Sequence, residues 1–538
     1  MRKLLKFLTN RFVIVSVLIL VQIGVLLLSV FELSKHYAII AAFFWVLSLV
    51  LTLVLINKNS NPSSKIPWIV IIGLVPLFGV MLYAMFSSSK LRKHEQQRLA
   101  KAIHDKNQFF AKEANSLLFL AQQDSHAASQ SHYISQATGL PLYREEELKY
   151  FESGEAFFEC LIEELKKARR YIYLEYFIIQ PGIFWQSILD ILKEKIACGV
   201  DVRLIYDDVG SVRTVPFGYN LEMEKLGIKT VVFNPYRPAP RTILHNRDHK
   251  KICIIDGATA FTGGINIADE YINRINRFGH WKDTGVMIKG DAALTFAFMF
   301  ANTWCIYRDF EKTYESLRPE FAENTEKSPA ALLQSAVPNT APQTEKTDGA
   351  KHSKYKKGFL QPYSDSPLDN ELTGEQVYLN IINQSTRYLY ITTPYLIVDH
   401  EIILALQLAA KRDVDVRIIT PYIPDKWIIH ELTRSYYKEL IENGVQVFEY
   451  TPGFMHAKMF LCDDIIATVG TVNLDYRSLY HHFECGVWMY NTEIIPQIKA
   501  DIHESFALSK EITEEYLAQT SLPRRFIRSI FKIFAPLM

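Results

Sequence analysis

His249-Lys250-Lys251-Ile252-Cys253-Ile254-Ile255-Asp256, followed by Gly263-Gly264-Ile265-Asn266, is spelled again as His456-Ala457-Lys458-Met459-Phe460-Leu461-Cys462-Asp463, followed by Gly470-Thr471-Val472-Asn473. Both copies fit His-x-Lys, four residues, Asp, six residues, Gly-x-x-Asn. At ordinary composition five fixed positions coincide by chance at roughly 10⁻⁶ per start or less, so two copies are no accident. In each copy a short apolar run reads as a buried strand. Residues i and i+2 of a strand share a face, so His249 projects with Lys251, and His456 with Lys458. Asp256 and Asp463 fall at strand ends, where Asp256-Gly257 and Asp463-Asp464 suit a turn. Gly263, Gly264 and Gly470 let backbone amides approach an anion, with Asn266, Thr471 and Asn473 beside them as donors. Each copy is thus half of a phosphate pocket. Two imidazoles suit one nucleophile and one general acid/base, which makes His249, Lys251, Asp256, His456, Lys458 and Asp463 the candidate catalytic set.

The repeat extends beyond the motifs. Residues 171–177 match 387–391, residues 201–205 match 415–419, and Leu226-Gly227-Ile228 precedes the first motif as Asn443-Gly444-Val445 precedes the second. Strands alternating with helices mean α/β units. The reading is two α/β lobes, 133–312 and 371–510, each a mixed sheet flanked by helices, related by a pseudo-twofold that turns His249 toward His456. Residues 313–370 are rich in Pro, Ser, Thr, Glu and Lys without apolar periodicity and read as a flexible linker.

With 538 residues the chain is too long for one core. Its 59 basic and 58 acidic residues nearly cancel, which leaves no global field for nucleic acid. Six cysteines lack metal-type or thioredoxin-type spacing. Residues 1–86 read as a transmembrane region, with apolar segments 12–31, 37–56 and 66–86 of bilayer length. Residues 87–132 read as a juxtamembrane helical linker whose Lys90, Arg92 and Lys93 attract anionic lipid. If two of the segments span, both basic ends lie inside, which puts the body on the cytoplasmic face of a multi-pass protein. The tail 511–538 sets Phe526, Ile527, Ile530, Phe531 and Phe534 on one helical face and Arg524, Arg525, Arg528 and Lys532 near the other. It reads either as a helix lying on anionic membrane or as one packed on the body.

The paired motif resembles the double His-x-Lys-x₄-Asp signature of the phospholipase D superfamily. The Gly263-Gly264 pair and the segments 204–211, 278–284 and 467–478 resemble bacterial cardiolipin synthases in particular. The resemblance implies two αβα lobes behind N-terminal transmembrane helices, in a bacterial cell membrane. It also implies transfer of a phosphatidyl group between two phosphatidylglycerol molecules, giving cardiolipin and glycerol through a phosphatidyl-histidine. It implies that Asp283 and Glu484, one after each motif, orient a catalytic imidazole through its other nitrogen. By the same analogy His249 is the nucleophile and His456 the acid/base. Partners are phosphatidylglycerol and anionic membrane lipids. No cofactor or metal is expected, because two lysines supply the positive charge. His280, Trp281, Tyr476 and Arg477 are pocket-lining candidates. His245, His481 and His482 fall outside the template and receive no catalytic part. Phospholipase D-type hydrolysis and other phosphatidyl transfers use the same pair, so the residues alone leave the acceptor open. A non-catalytic membrane scaffold is the remaining reading, opposed by the retention of both His-Lys pairs.

Overall fold

The structure is a computed structural model describing residues 38–58, 61–86, 115–144, 146–235, 246–311, 315–319, 358–369 and 371–537, with isolated residues 24, 28, 95, 97–99 and 101. In the first lobe the strands are β1 (Glu147–Phe151), β2 (Tyr171–Tyr176), β3 (Asp201–Asp207), β4 (Lys229–Phe233), β5 (Lys251–Ile255), β6 (Thr259–Gly263) and β7 (Gly285–Lys289). They form a seven-stranded sheet ordered β1-β7-β6-β5-β2-β3-β4. β2, β3 and β4 run parallel through crossover helices Ile183–Ala197 and Tyr219–Lys225, and β5 returns antiparallel to β2. Both faces of the sheet are covered, which is why β2 and β5 read as unbroken buried runs without alternation.

The second lobe repeats this strand for strand. β8 (Phe359–Asp365), β9 (Tyr388–Thr392), β10 (Asp415–Pro421), β11 (Gln446–Tyr450), β12 (Met459–Cys462), β13 (Ile466–Gly470), β14 (His482–Tyr490) and β15 (Ser509–Ile512) follow the order β8-β14-β13-β12-β9-β10-β11-β15. Short pieces at Tyr143–Arg144 and Arg247–Asp248 bring this sheet to ten strands. The mixed two-lobe α/β fold is thus the one the repeat calls for, and β15 is the addition.

The expected boundaries shift. Helices Asn115–Gln123 and Ser125–Thr138 belong to the second lobe, where Leu120, Ala127 and Ile134 share a core with Tyr363 and Trp488. Trp488 Nε1 donates to Gln130 Oε1 at 2.9 Å. Apart from Ile134, the buried face of Ser125–Thr138 is Ala127, Ala128, Gln130, Ser131 and Thr138, so apolar periodicity did not reveal it. β8 lies inside the segment assigned as linker and pairs with β14, while 321–357 lies outside the described residues.

The transmembrane helices expected in residues 1–86 are not shown among the described residues. Segment 12–31 lies outside the described residues apart from Gly24 and Leu28. Segment 37–56 is the single helix Ala38–Asn57, and the third is split into Pro62–Leu74 and Pro76–Phe86, since Pro76 has no N–H to continue the ladder. Among the described residues no helix is long and apolar enough to cross a membrane. Phe43, Trp45, Leu49 and Leu53 nevertheless lie exposed on Ala38–Asn57. Lys90, Arg92 and Lys93 lie outside the described residues.

The tail helix Leu522–Phe534 is docked on helix Trp427–Ile441, basic side inward. Arg524 and Arg528 donate through Nε to Glu431 Oε2 at 2.9 and 2.8 Å, and Lys532 Nζ donates to Glu439 at 2.8 Å. Burial raises the Glu431 carboxyl, but the hydrogen bonds from Arg524 and Arg528 outweigh it and hold it down at about 2. Leu522 and Phe526 point outward, 77% and 68% exposed.

Candidate active site

The two lobes are stitched together where the motifs begin. Arg247–Asp248, leading into the first motif, pairs in parallel with His482 and Phe483 of β14. Gly453–Met455, leading into the second, pairs in parallel with His280–Lys282. The backbone N–H of His249 donates to Phe483 O at 2.9 Å, and that of His456 to Lys282 O at 2.7 Å. The next residue along each partner segment is an acid, Glu484 or Asp283. Each histidine is therefore fixed, backbone first, beside a carboxylate of the opposite lobe.

The side chains complete the exchange. His249 Nδ1 lies 2.9 and 3.0 Å from the two Glu484 oxygens, and His456 Nδ1 lies 2.6 Å from Asp283 Oδ2. Glu484 also receives Thr471 Oγ1 at 2.5 Å and Ser478 Oγ at 2.7 Å. Burial raises the Glu484 carboxyl, yet the imidazoles of His249 and His482 hold it well below the ordinary range. An ionised carboxylate only accepts, so the His249 proton sits on Nδ1 and Nε2 carries a free lone pair.

Both lysines curl back onto the backbone of their own histidines. Lys251 Nζ donates to His249 O at 2.5 Å, and Lys458 Nζ donates to His456 O while standing 2.9 Å from His456 Nδ1. Burial depresses all four basic groups of the cluster. His249 and His456 fall to about 4, each pushed further by both lysines, Lys251 falls to about 8 and Lys458 to about 7. Each lysine thus stands close enough to act electrostatically on the other motif's histidine.

Not every candidate converges there. Asp256 accepts from the amides of Arg169, Arg170 and Tyr171, all at 2.8 Å, and Asp463 from those of Thr386, Arg387 and Tyr388 at 2.7 to 2.8 Å. They cap the far ends of β5 and β12, roughly 15 Å of strand from the lysines, and hold no place beside the imidazoles. The amides of Gly264 and Thr471 are spent on Thr284 O and Cys485 O, so they are not offered to an anion. Gly264 is instead a matter of space, since a Cβ there would stand 2.0 Å from Asp283 Oδ1. Asn266 is tied to Ile178 N and Tyr271 OH, and Asn473 to Asp475. Thr471 turns its hydroxyl to Glu484. Of the lining candidates, Trp281 sits 5.2 Å from the His456 ring, His280 bonds Tyr450 at 3.0 Å, Tyr476 stacks on Tyr480, and Arg477 is exposed.

His482, given no part above, is a neighbour of the site. Its ring lies 5.5 Å from that of His249 and its Nδ1 3.5 Å from Glu484 Oε1. Comparing the halves would have exposed it, because it precedes Glu484 by two residues as Trp281 precedes Asp283. His249, His482 and Glu484 bring one ligand atom each within 4.8 Å of one another, a donor set of the kind a transition ion takes. The Glu484 oxygens are, however, already claimed by three donors, and two buried lysines nearby oppose a cation.

Residues 161–294 and 378–506 match the family described as "Cardiolipin synthase, PLD-like domain", one match per lobe. The chain belongs to the cardiolipin synthase family of the phospholipase D superfamily. Residues 40–87 match "Phospholipase_D-nuclease N-terminal". An uncharacterized protein of Streptococcus mutans is 39% identical over 486 residues, covering 90% of this chain and 99% of its own. A cardiolipin synthase of Geobacillus is 32% identical over 489 residues, covering 89% and 90%. Among solved structures, the phosphatidylserine synthase of Haemophilus influenzae superposes with a TM-score of 0.54 at 15% identity, covering 76% of this chain and 98% of its own. That likeness is one of fold. As a member of this family the chain is an enzyme of the phosphatidyltransferase class.

Proposed function

We propose that this enzyme makes cardiolipin and glycerol from two phosphatidylglycerol molecules by way of a phosphatidyl-histidine. The observation that carries this reading is the crossed pair: two buried imidazoles, each held through Nδ1 by an acid of the other lobe, with a lysine beside each. His249 Nε2, with its lone pair free, attacks phosphorus. The bond from phosphorus to the glycerol oxygen breaks, and His456 hands that oxygen a proton. The negative charge of the bound phosphodiester favours the imidazolium of His456 that this step uses. A hydroxyl of the second phosphatidylglycerol then gives its proton to His456 and attacks phosphorus. The P–N bond breaks and cardiolipin departs. Lys251 and Lys458 neutralise the non-bridging oxygens as charge builds, while Glu484 and Asp283 fix tautomer and orientation.

Both substrates keep their acyl chains in a bilayer, so the body works at the surface of the bacterial cell membrane. The exposed apolar side chains of Ala38–Asn57 and of the tail support that placement. The test is incubation with labelled phosphatidylglycerol alone, followed by separation of cardiolipin from phosphatidic acid. Phosphatidic acid as the main product would replace transfer by hydrolysis.

A further inference from the structure

Two residues before each orienting acid stands a buried ring beside a catalytic imidazole. Trp281 lies against His456 and His482 against His249, at positions that the repeat makes equivalent. Among the described residues Trp281 Nε1 and both ring nitrogens of His482 are buried without a hydrogen-bond partner. Buried polar atoms are as a rule satisfied, and leaving one bare costs about 1–3 kcal/mol. Phe177 packs against both His249 and His482, with centroids at 5.0 and 6.5 Å, and offers neither a partner.

His482 is the more telling of the two. Its Nδ1 faces Glu484, as does Nδ1 of His249. The His482 ring lies 5.5 Å from that of His249, and its Nε2 is buried without a hydrogen-bond partner among the described residues. The negative charge of a bound phosphate favours the His482 imidazolium, which keeps Nδ1–H toward Glu484 and presents Nε2–H. We propose that His482 is a third phosphate-holding residue, donating Nε2–H to a non-bridging oxygen of the phosphoryl group bound at His249. The inference rests on the phosphoryl-transfer reading and adds a contact that the paired motif does not contain.

Two substitutions separate this from a role in merely propping Glu484. His482→Gln puts a donor near the position of Nε2, whereas His482→Asn reaches only as far as Nδ1. Vanadate, a mimic of the phosphoryl group, is titrated calorimetrically into the full-length protein in detergent, and phosphatidylglycerol turnover is measured alongside. H482N should bind vanadate about ten- to a hundredfold more weakly, as expected for a lost hydrogen bond to a charged group, and H482Q should stay within about threefold of wild type. H482N matching wild type, or H482Q failing as badly as H482N, overturns the inference. In wild-type protein labelled with ¹⁵N-histidine, vanadate should also shift the His482 ring resonances, and unmoved resonances overturn it whatever the variants do. Wild-type protein that neither binds vanadate nor consumes phosphatidylglycerol would bring down the phosphatidyl-transfer reading as well, which tells the two failures apart.

Discussion

Glu484→Gln is the sharpest single perturbation of the proposed mechanism. The carboxylate is fully buried, receives His249 Nδ1 at 2.9 Å with Thr471 and Ser478, and is held well below its ordinary pKa. Glutamine keeps the shape but replaces one acceptor oxygen by an NH₂ group. If that group faces His249, Nδ1 must accept, the ring proton moves to Nε2, and the attacking lone pair is gone. Loss of one charge-assisted hydrogen bond alone is worth about 1.5–3 kcal/mol, or roughly ten- to a hundred-and-fiftyfold. The wrong tautomer costs more. The corresponding carboxylate-to-amide change in serine proteases lowers kcat by about 10⁴, equivalent to roughly 5.5 kcal/mol. We therefore expect kcat on short-chain phosphatidylglycerol to fall about 10³- to 10⁴-fold, with vanadate binding reduced far less and far-UV circular dichroism unchanged. A kcat within tenfold of wild type would refute the claim that Glu484 sets the tautomer of His249.

Lys251→Met should lower kcat by about 10²–10³, the usual effect of one lost oxyanion donor, with little change in melting temperature; near-normal turnover would reduce the lysine to a structural part. Burial puts Lys251 at about 8 and Lys458 at about 7 in the empty site, far below an unfolded lysine, so the unfolded chain binds more protons between pH 7 and 10. Stability of the ligand-free protein should then rise with pH across that window while vanadate affinity falls, and a K251M/K458M double variant should lose both trends in paired melting and binding curves. Glu431→Gln should loosen the tail, measured as faster amide exchange in Leu522–Phe534, because Arg524 and Arg528 lose their shared carboxylate; unchanged exchange would mean that packing alone docks the helix. A chain starting at residue 112, which keeps the helices that pack on the second lobe, should turn over short-chain phosphatidylglycerol yet lose most activity on vesicles, and full vesicle activity would confine the N-terminal segment to localisation.

The sequence carried the repeat and the two-lobe α/β architecture, because these depend on periodicity that any chain must display, whereas the strands begin only at Lys251 and Met459, so that His249, His456 and Lys458 stand just before them. It did not show that the acids act across the lobes, since Asp283 and Glu484 find their histidines through tertiary pairing of strands 170 or more residues away. Asp256 and Asp463 looked catalytic through their fixed spacing, yet the same spacing serves a turn cap on three amides. The tail's amphipathicity was plain in the sequence. Which side faces the protein depended on Glu431, about ninety residues upstream, and that choice is settled only by folding.

The exchange of acids between lobes bears on how such a chain arises. In a symmetric pair of identical single-repeat proteins, each copy would hold its neighbour's histidine with the same acid, and both imidazoles would be chemically alike. Fusing the copies into one chain keeps that reciprocity but lets each side be altered alone. Here Glu484 gains Thr471 and Ser478 while Asp283 does not, and His482 stands where the other side has Trp281. A substitution in either half acts first on the imidazole of the other, so inheritance in a single gene couples the two halves while allowing them to take up different tasks.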